Sequence, residues 1–318
     1  MHPVHDEVLK FFDAPCEALF SDLAVRVFRH QYESIPALRR WCDLRGVRPE
    51  RVQSWRDIPP VPTVAFKYEL LCCARPERVF CSSGTTRGPE LRSQHAMPDL
   101  RLYRASAVRG MRAFLFPDVE AMPIYSLIPS ASEWPQSSLA QMVSWAQEVF
   151  GTADSATFAR GGEFDFGSFQ LALEKSARSG EPVCIMTTTG AWIRFLDFCR
   201  AHHWQVRLPH GSRLMDTGGD KGVPRPLSRN GLLQATWNTV AIPGYFVVNE
   251  YGMSELSSQY FDNVIANRVA GVFGRRSKQA QPWLRTRVLD PETLLDVAKG
   301  NIGLLCHVDL ANAGSVVA

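Results

Sequence analysis

The sequence contains no long apolar run and no block of like charge. No apolar stretch approaches the roughly 18 residues that a membrane-spanning helix needs. Residues 1–10 carry His, Asp and Glu where a signal peptide would carry a basic and then an apolar segment. The formal net charge is only +3, without any run of five or more like charges, which argues against a nucleic-acid partner. We therefore expect a cytoplasmic protein with no membrane span.

Metal-binding cysteine patterns are also missing. The eight cysteines show no C-x-x-C spacing and no histidine pairing typical of zinc. Most of them, such as Cys184 and Cys306, lie among apolar residues, as reduced core thiols do. Cys81 adjoins a run of hydroxyl residues, and a nucleophilic role for it is the less favoured alternative.

The apolar content is sufficient for a large core. At 318 residues and 45% hydrophobic, the chain can form one large domain or two ordinary ones. Residues 5–45 carry apolar side chains at helical spacing, which predicts two or three amphipathic helices before a proline-rich connector at residues 55–62. Beyond the connector, apolar strands at 123–129 and 183–186 alternate with helical patterns. This alternation predicts an α/β fold with a largely parallel sheet.

Small hydroxyl residues and glycines follow the apolar run at residues 78–81, namely Ser82, Ser83, Gly84, Thr85, Thr86 and Gly88. Hydroxyl groups donate hydrogen bonds to anionic oxygens, and glycine lets backbone N–H groups approach a ligand closely. The stretch suits a phosphate, although it lacks the Gly-Lys-Ser/Thr of a Walker A loop. By itself, such a run is more typical of a solvated loop.

Two further predicted strands end in glycine and polar residues. One runs into Gly218, Gly219 and Lys221, and the other runs into residues 250–255. Because ligands of α/β sheets bind beyond the carboxyl ends of the strands, these exits predict a shared site.

Together these segments resemble the adenylate-forming enzymes and, more narrowly, the acyl-protein synthetase family that supplies fatty acid to the bacterial bioluminescence reductase complex. The likeness rests on the serine/threonine loop and on Tyr251-Gly252-Met253-Ser254-Glu255. It extends to residues 62–67, 93–95, 216–222 and 309–312, and so covers most of the chain from about residue 60. The resemblance implies the large N-terminal domain of an adenylate-forming enzyme, with helices around two mostly parallel β-sheets.

The resemblance also implies a reaction. A carboxylic acid, fatty or aryl, would attack ATP to give an acyl-adenylate and pyrophosphate, and the acyl group would pass to a protein thiol, a carrier protein or CoA. Residues 82–86 would hold the phosphates, with Thr85 among the catalytic residues, and Glu255 would coordinate Mg²⁺.

The same resemblance assigns the remaining site residues. Tyr251 and Gly252 would form the adenine site with Gly218 and Gly219, and Ser254 belongs to the same motif. His95 and Lys221 are candidates for contacting the phosphate or the carboxylate, His95 as a catalytic residue, although an exposed structural role is as compatible with either.

Two departures from the family pattern are visible. Glu90 stands where the phosphate loop commonly has lysine, which leaves Arg87 or Arg92 to supply positive charge. Residues 313–318 stop before the expected ribose-binding Thr-x-Asp segment, the small C-terminal domain and the acyl-accepting cysteine of the family. We therefore expect a helical segment at 1–60, an adenylation core at 61–318 and no small C-terminal domain, with Asp309 structural rather than a ribose ligand.

Alternatives stay open at this point. An acyl- or aryl-CoA ligase shares both motifs, and a catalytically degenerate nucleotide-binding module would fit the replacement of lysine by Glu90. The acid is not specified, because the aromatic residues between the motifs fit either a pocket or a core: Tyr125, Trp134, Trp145, Phe164, Phe166 and Trp192.

Overall fold

The computed structural model describes residues 2–82, 92–218 and 226–318. The chain divides into two compact units, each treated separately below. Unit 1 comprises Met1–Ala107, Met253–Gln259 and Ala280–Ala318, and unit 2 comprises Val108–Gly252 and Tyr260–Gln279. The boundary expected near residue 60 stays a prediction.

The helices of the described residues are α1 (Val4–Asp13), α2 (Glu17–Ser34), α3 (Pro36–Leu44), α4 (Arg101–Phe114), α5 (Ser138–Phe150), α6 (Phe166–Ser179), α7 (Thr189–Ala201), α8 (Arg229–Val240) and α9 (Val264–Val269). The strands are β1 (Arg78–Cys81), β2 (Gln94–Met97), β3 (Ile124–Ser126), β4 (Ala156–Thr157), β5 (Ala159–Arg160), β6 (Glu163–Phe164), β7 (Cys184–Thr188), β8 (Arg213–Thr217), β9 (Val247–Tyr251), β10 (Tyr260–Asp262), β11 (Lys278–Ala280), β12 (Leu284–Leu289) and β13 (Leu304–Asp309). Within the described ranges, no helix has both the length and the apolar character that crossing a bilayer requires.

Unit 1 begins with three helices, as the apolar spacing predicts. Helix α1 buries Val4, Val8 and Phe11, which recur at the spacing of one helical face. Helix α3 begins at Pro36, whose missing N–H costs nothing in the first turn and whose ring keeps the preceding Ile35 extended. These side chains form the core of unit 1 together with apolar residues from 308–317.

A buried polar side chain joins α2 to the last described residues. The Gln31 amide nitrogen donates to the carbonyl oxygens of Asn312 at 2.9 Å and Ala313 at 3.2 Å. Its oxygen accepts from the backbone N–H of Val317 at 3.0 Å. The amide nitrogen and the amide oxygen of Gln31 are therefore both hydrogen-bonded inside the core, and these bonds attach residues 312–317 to helix α2.

Unit 1 also contains two antiparallel hairpins. Strands β1 and β2 pair with Phe80 opposite His95, and β12 and β13 pair with Leu289 opposite Leu304. The first hairpin flanks the predicted phosphate loop, whose residues 83–91 lie outside the described ranges.

Unit 2 is built on a sheet with strand order β11-β10-β9-β8-β7-β3-β4. Strands β9, β8, β7, β3 and β4 are parallel, and β10 runs antiparallel to β9. Strand β7 is buried over Cys184–Met186, as expected for a strand covered on both faces. The prediction of an α/β fold with a mainly parallel sheet is confirmed. The expected second mostly parallel sheet is not found among the described residues, whose other sheets are antiparallel pairs of strands.

Three of the six aromatic residues considered for the acid pocket belong to the core. Trp192 is fully buried and donates its indole N–H to Thr236, and Tyr125 and Trp145 are also buried. Trp134 is the exposed member of the set. The buried aromatics stabilise the sheet and its helices, so they offer no ready surface to a substrate.

Candidate functional site

The first predicted phosphate residue lies at the end of β1. Ser82 donates its backbone N–H to the Ser93 carbonyl at 3.0 Å, and its hydroxyl oxygen accepts from the Ser93 N–H at 3.1 Å. These bonds close the hairpin and leave the Ser82 hydroxyl hydrogen available as a donor. The other predicted loop residues, Ser83, Gly84, Thr85 and Thr86, lie outside the described residues, as do Arg87, Gly88 and Glu90.

His95, on β2, is fully buried against the ring of Phe66. Its Nδ1 lies 2.7 Å from the carbonyl oxygen of Ser254. Because a carbonyl oxygen only accepts, Nδ1 must carry the hydrogen. Burial lowers the pKa of His95 to about 4, so the ring is neutral at physiological pH. His95 thus bonds to the backbone of the loop that carries Glu255, and its catalytic role stays a prediction.

The loop after Ser254 is held by two buried residues near the end of β13. The Asp309 carboxylate accepts from the backbone N–H of Ser258 at 2.8 Å and from its hydroxyl at 2.7 Å. It also accepts from the N–H groups of Ser257 and Ala311. Burial raises the pKa of Asp309 to about 6 against the effect of these donors. Asp309 is fully buried, and its structural role stays a prediction that these bonds fit.

Asn312 adds two further bonds to the loop backbone. Its amide nitrogen donates to the Glu255 carbonyl oxygen at 2.9 Å, and its side-chain oxygen accepts from the Ser257 N–H at 2.9 Å. A backbone bonded on successive residues has little freedom to move. The direction in which the Glu255 side chain leaves the loop is therefore set by His95, Asp309 and Asn312.

The carboxylate of Glu255 is half-buried and makes no hydrogen bond or ion pair with the described residues. It lies on the lining of a groove of about 330 Å³ in unit 1. The rest of that lining is mostly apolar and consists of Trp41, Arg45, residues 60–63, Phe66, Met253, Leu256, Leu289, Leu294, residues 304–307, Asn312 and residues 316–318. An unpaired carboxylate beside an apolar groove is available to a ligand.

Glu255 fits one specific kind of metal site. Magnesium usually binds through one or two carboxylates together with phosphate oxygens and water, rather than in a cage of protein ligands. Among residues 2–82, 92–218 and 226–318, no group of three or more His, Cys, Asp or Glu side chains could hold a metal ion. A single carboxylate therefore suits a Mg²⁺ that arrives with phosphates, and it does not suit a resident metal such as zinc.

In unit 2, the predicted adenine residues lie at adjacent strand ends. Strands β8 and β9 are parallel neighbours with Thr217 opposite Glu250, so Gly218 and Tyr251 follow at the same edge of the sheet. Gly218 has a φ of +74°, and the space where a side chain would lie is open. Tyr251 is 37% exposed, and its ring is tilted against Tyr260. An open glycine backbone next to an accessible aromatic ring fits a flat base.

The remaining predicted residues of these two motifs lie either in different units or outside the described residues. Gly252 follows Tyr251 in unit 2, whereas Ser254 and Glu255 belong to unit 1. Gly219 and Lys221 lie outside the described residues.

Sequence reasoning missed a buried ionic network at the same edge of unit 2. Asp216 accepts from Arg229 at 2.7 Å, from the Thr189 hydroxyl at 2.8 Å and from the Asn249 amide at 3.0 Å. Burial also raises the pKa of Glu250 to about 7, while its carboxyl group accepts a hydrogen bond from Thr217. The signal available in the sequence was that Asp216 and Glu250 lie at the ends of two apolar strands. This signal could not reveal the network, because the partners of these groups come from distant segments.

The fold, a mainly parallel sheet covered by helices, is shared with solved ligase structures. The chain is similar to a solved structure of 2-hydroxyisobutyryl-CoA ligase in complex with 2-HIB-AMP and CoA, with a TM-score of 0.62 and 14% identity. The match covers 92% of this chain and 65% of that enzyme, so the chain spans just under two thirds of its length.

The family follows from the sequence as a whole. The model of the family described as acyl-protein synthetase, LuxE, matches residues 7–316, and the chain belongs to that family. It is 23% identical over 299 residues to the long-chain-fatty-acid--luciferin-component ligase of Vibrio harveyi, covering 92% of this chain and 74% of the relative. The ligase of the same name from Aliivibrio fischeri is 22% identical over 297 residues, covering 91% and 74%. The predicted family, fold class and ligase assignment are thus confirmed.

Proposed function

We propose that this chain binds ATP, Mg²⁺ and a carboxylic acid, and that it activates the acid as an acyl-adenylate with release of pyrophosphate. The observation that carries the proposal is the Glu255 carboxylate, which has no partner among the described residues and leaves a fixed loop beside an apolar groove. Membership of the acyl-protein synthetase family supports the same reaction.

The residues have distinct roles in this proposal. Glu255 holds Mg²⁺, whose charge would offset that of the phosphates as the acid attacks. The hydroxyl groups of Ser82, Ser83, Thr85 and Thr86 donate to the phosphates, and Gly84 allows backbone N–H groups to approach them. His95 positions the loop through its bond to the Ser254 backbone carbonyl.

The base would lie at the strand ends of unit 2. Tyr251 supplies an aromatic face, Gly218 leaves room for a ring against the backbone, and Gly219 and Gly252 belong to the same proposed base site. We further propose residues 1–60 as a helical segment attached to an adenylation core at 61–318, in the cytoplasm.

The acid in this proposal is a fatty acid, and a protein thiol is the acceptor. Both relatives are named long-chain-fatty-acid--luciferin-component ligase, which supports a fatty acid as the substrate proposed here. The apolar lining beside Glu255 suits an aliphatic chain better than a polar acid.

Carboxylate-dependent exchange of labelled pyrophosphate into ATP tests the proposal. We expect exchange that requires Mg²⁺ and is supported by aliphatic acids within a panel that also includes aryl and hydroxy acids. Product analysis with CoA and with a cysteine-bearing acceptor protein then separates the two kinds of acyl transfer, because formation of acyl-CoA alone would make the chain a CoA ligase. Absence of exchange with every acid would leave a nucleotide-binding module without turnover.

A further inference from the structure

The groove that contains Glu255 has unusually accessible leucines. Leu304 and Leu305 are 53% and 55% exposed, and Leu294 is 36% exposed, although all three lie on the lining. They belong to β13 and to the segment between β12 and β13. Exposed apolar residues clustered in a concave surface mark ligand or partner sites more often than singly scattered ones do.

The groove also offers a positive charge. The Arg45 guanidinium lies 3.9 Å from the centre of the Trp41 ring, and both residues line the groove. Within the described ranges, no carboxylate pairs with Arg45. Stacking holds the guanidinium in place while its N–H groups stay available, so an anionic ligand is favoured over a neutral one.

We infer that this groove binds the aliphatic chain of the acid, with the leucines contacting the chain and Arg45 attracting the carboxylate. This assignment rests on the proposed function and gives it a location. The volume of about 330 Å³ lies at the lower end of the range for ligand pockets, which suits one flexible chain rather than a fused ring system. Glu255 is part of the same lining, so the metal ligand and the acyl chain share one surface of unit 1.

Binding in this groove predicts how the affinity depends on the length of the acid. Each methylene that enters the groove should tighten binding about fourfold, equivalent to about 0.8 kcal/mol, until the groove is filled. Longer acids should then show no further gain, because the additional methylenes stay in water.

Binding of saturated acids of about 6 to 14 carbons, measured by calorimetry without ATP or Mg²⁺, tests this dependence. We expect affinity to rise with length and then level off. The double variant L304S/L305S should weaken binding of the longest acid at least tenfold, given the area that two leucines bury. Both side chains are about half exposed, so their replacement leaves the core intact.

The chain offers a matched control. Ile302 is 96% exposed, lies two positions before Leu304 and is not part of the lining. I302S removes as much apolar surface from the same segment and should leave acid binding unchanged. Equal losses in I302S and in L304S/L305S would overturn the assignment.

Arg45 is tested with paired ligands. R45Q should weaken binding of decanoate about two- to fivefold, the range of an exposed ion pair, and leave decanol unaffected. An equal effect on acid and alcohol would remove Arg45 from the site.

Failure of this assignment is distinguishable from failure of the proposed function. If L304S/L305S exchanges pyrophosphate with an unchanged KM for fatty acids, the groove is not the acyl site although the chemistry stands. If acids bind in the groove as described but no exchange occurs, the groove assignment stands and the proposed reaction fails.

Discussion

Asn312 donates its side-chain amide hydrogen to the backbone carbonyl of Glu255 at 2.9 Å, and the same side chain accepts from Ser257 at 2.9 Å. One buried amide thus fixes the backbone on both sides of Leu256. The carboxylate that we propose as the magnesium ligand contributes nothing to this arrangement. Support of the loop and binding of the ligand are therefore separate tasks of separate residues, and substitutions can distinguish them.

Replacing Glu255 by Gln should affect ligand use and not folding. The side chain is half-exposed and unpaired within the described structure, so the free energy of unfolding should change by less than about 0.5 kcal/mol. A neutral amide is a poor ligand for a hard cation, so half-maximal exchange should require at least tenfold more Mg²⁺. Exchange assays across a magnesium titration measure this shift, with the exposed Glu292→Gln as control. An unchanged magnesium dependence would remove Glu255 from the metal site.

Replacing Asn312 by Ala should affect both properties. The substitution leaves the Glu255 carbonyl without this donor and costs about 1 to 3 kcal/mol of stability, measured by urea unfolding. Because the loop gains freedom, the KM for Mg·ATP should rise more than kcat falls, a split that simple destabilisation would not cause. Asn238→Ala, at an exposed position bonded to Gln234, is the matched control. Proportional losses of activity and folded protein would mean that Asn312 serves stability alone.

Replacing Thr85 by Val tests the predicted loop, which lies outside the described residues. Valine keeps the shape and removes one donor, and loss of such a contact typically costs about 2.7 to 4 kcal/mol of transition-state stabilisation. The readout is kcat/KM for exchange. A change far below about 1 kcal/mol would contradict a role for the Thr85 hydroxyl.

Glu250 should make stability depend on pH in a defined direction. Its folded-state pKa is about 7 because it is buried, against an ordinary value of 4.5. Between these values the folded chain retains a proton that the unfolded chain releases, so this contribution to stability is complete below the ordinary pKa and is lost as the pH rises through 7. The slope should approach about 1.4 kcal/mol per pH unit in that interval.

Comparison with Glu250→Gln isolates this effect, because all other groups titrate alike in both proteins. The stability difference between wild type and variant should shift in favour of the variant as the pH increases from about 5 to 8. A difference that stays constant over this range would show that Glu250 is ionised in the folded state.

His95 should behave in the opposite way. Its pKa is lowered to about 4, so the unfolded chain binds a proton at a pH where the folded chain does not. The contribution of His95 to the free energy of unfolding therefore decreases as the pH falls. The proton on Nδ1 is held by the Ser254 carbonyl. We therefore expect no inflection from His95 in the rate of exchange between about pH 6 and 8, and an inflection that disappears in His95→Asn would contradict this.

The parts of the molecule that local patterns encode were predictable. Helical spacing indicated α1 to α3, apolar runs indicated β3, β7 and β8, and the end of β9 was recognisable as a Tyr-Gly-x-Ser-Glu motif. The roles of Tyr251 and Glu255 stay predictions that the geometry fits. What local patterns could not indicate is which polar side chains support the motif.

Gln31 and Asn312 illustrate the reason. Gln31 is one polar residue on an amphipathic helix, a position that usually faces water, and Asn312 follows a short turn. Both residues support the structure by contacting residues far away in sequence, and a periodic pattern along the chain cannot indicate such contacts. The Asp216 and Arg229 pair was missed for the same reason, because each belongs to a different segment of unit 2.

The Gln31 side chain donates to Asn312 and Ala313, which lie 281 and 282 positions later in the chain. A ribosome must therefore synthesise the chain as far as residue 313 before helix α2 can form these bonds, and contacts of such high sequence separation form late and slowly. The loop with Glu255 gains its support in the same event, through Asn312. If Glu255 holds the metal as proposed, nascent chains would gain this support for the loop only after residue 312 has been synthesised.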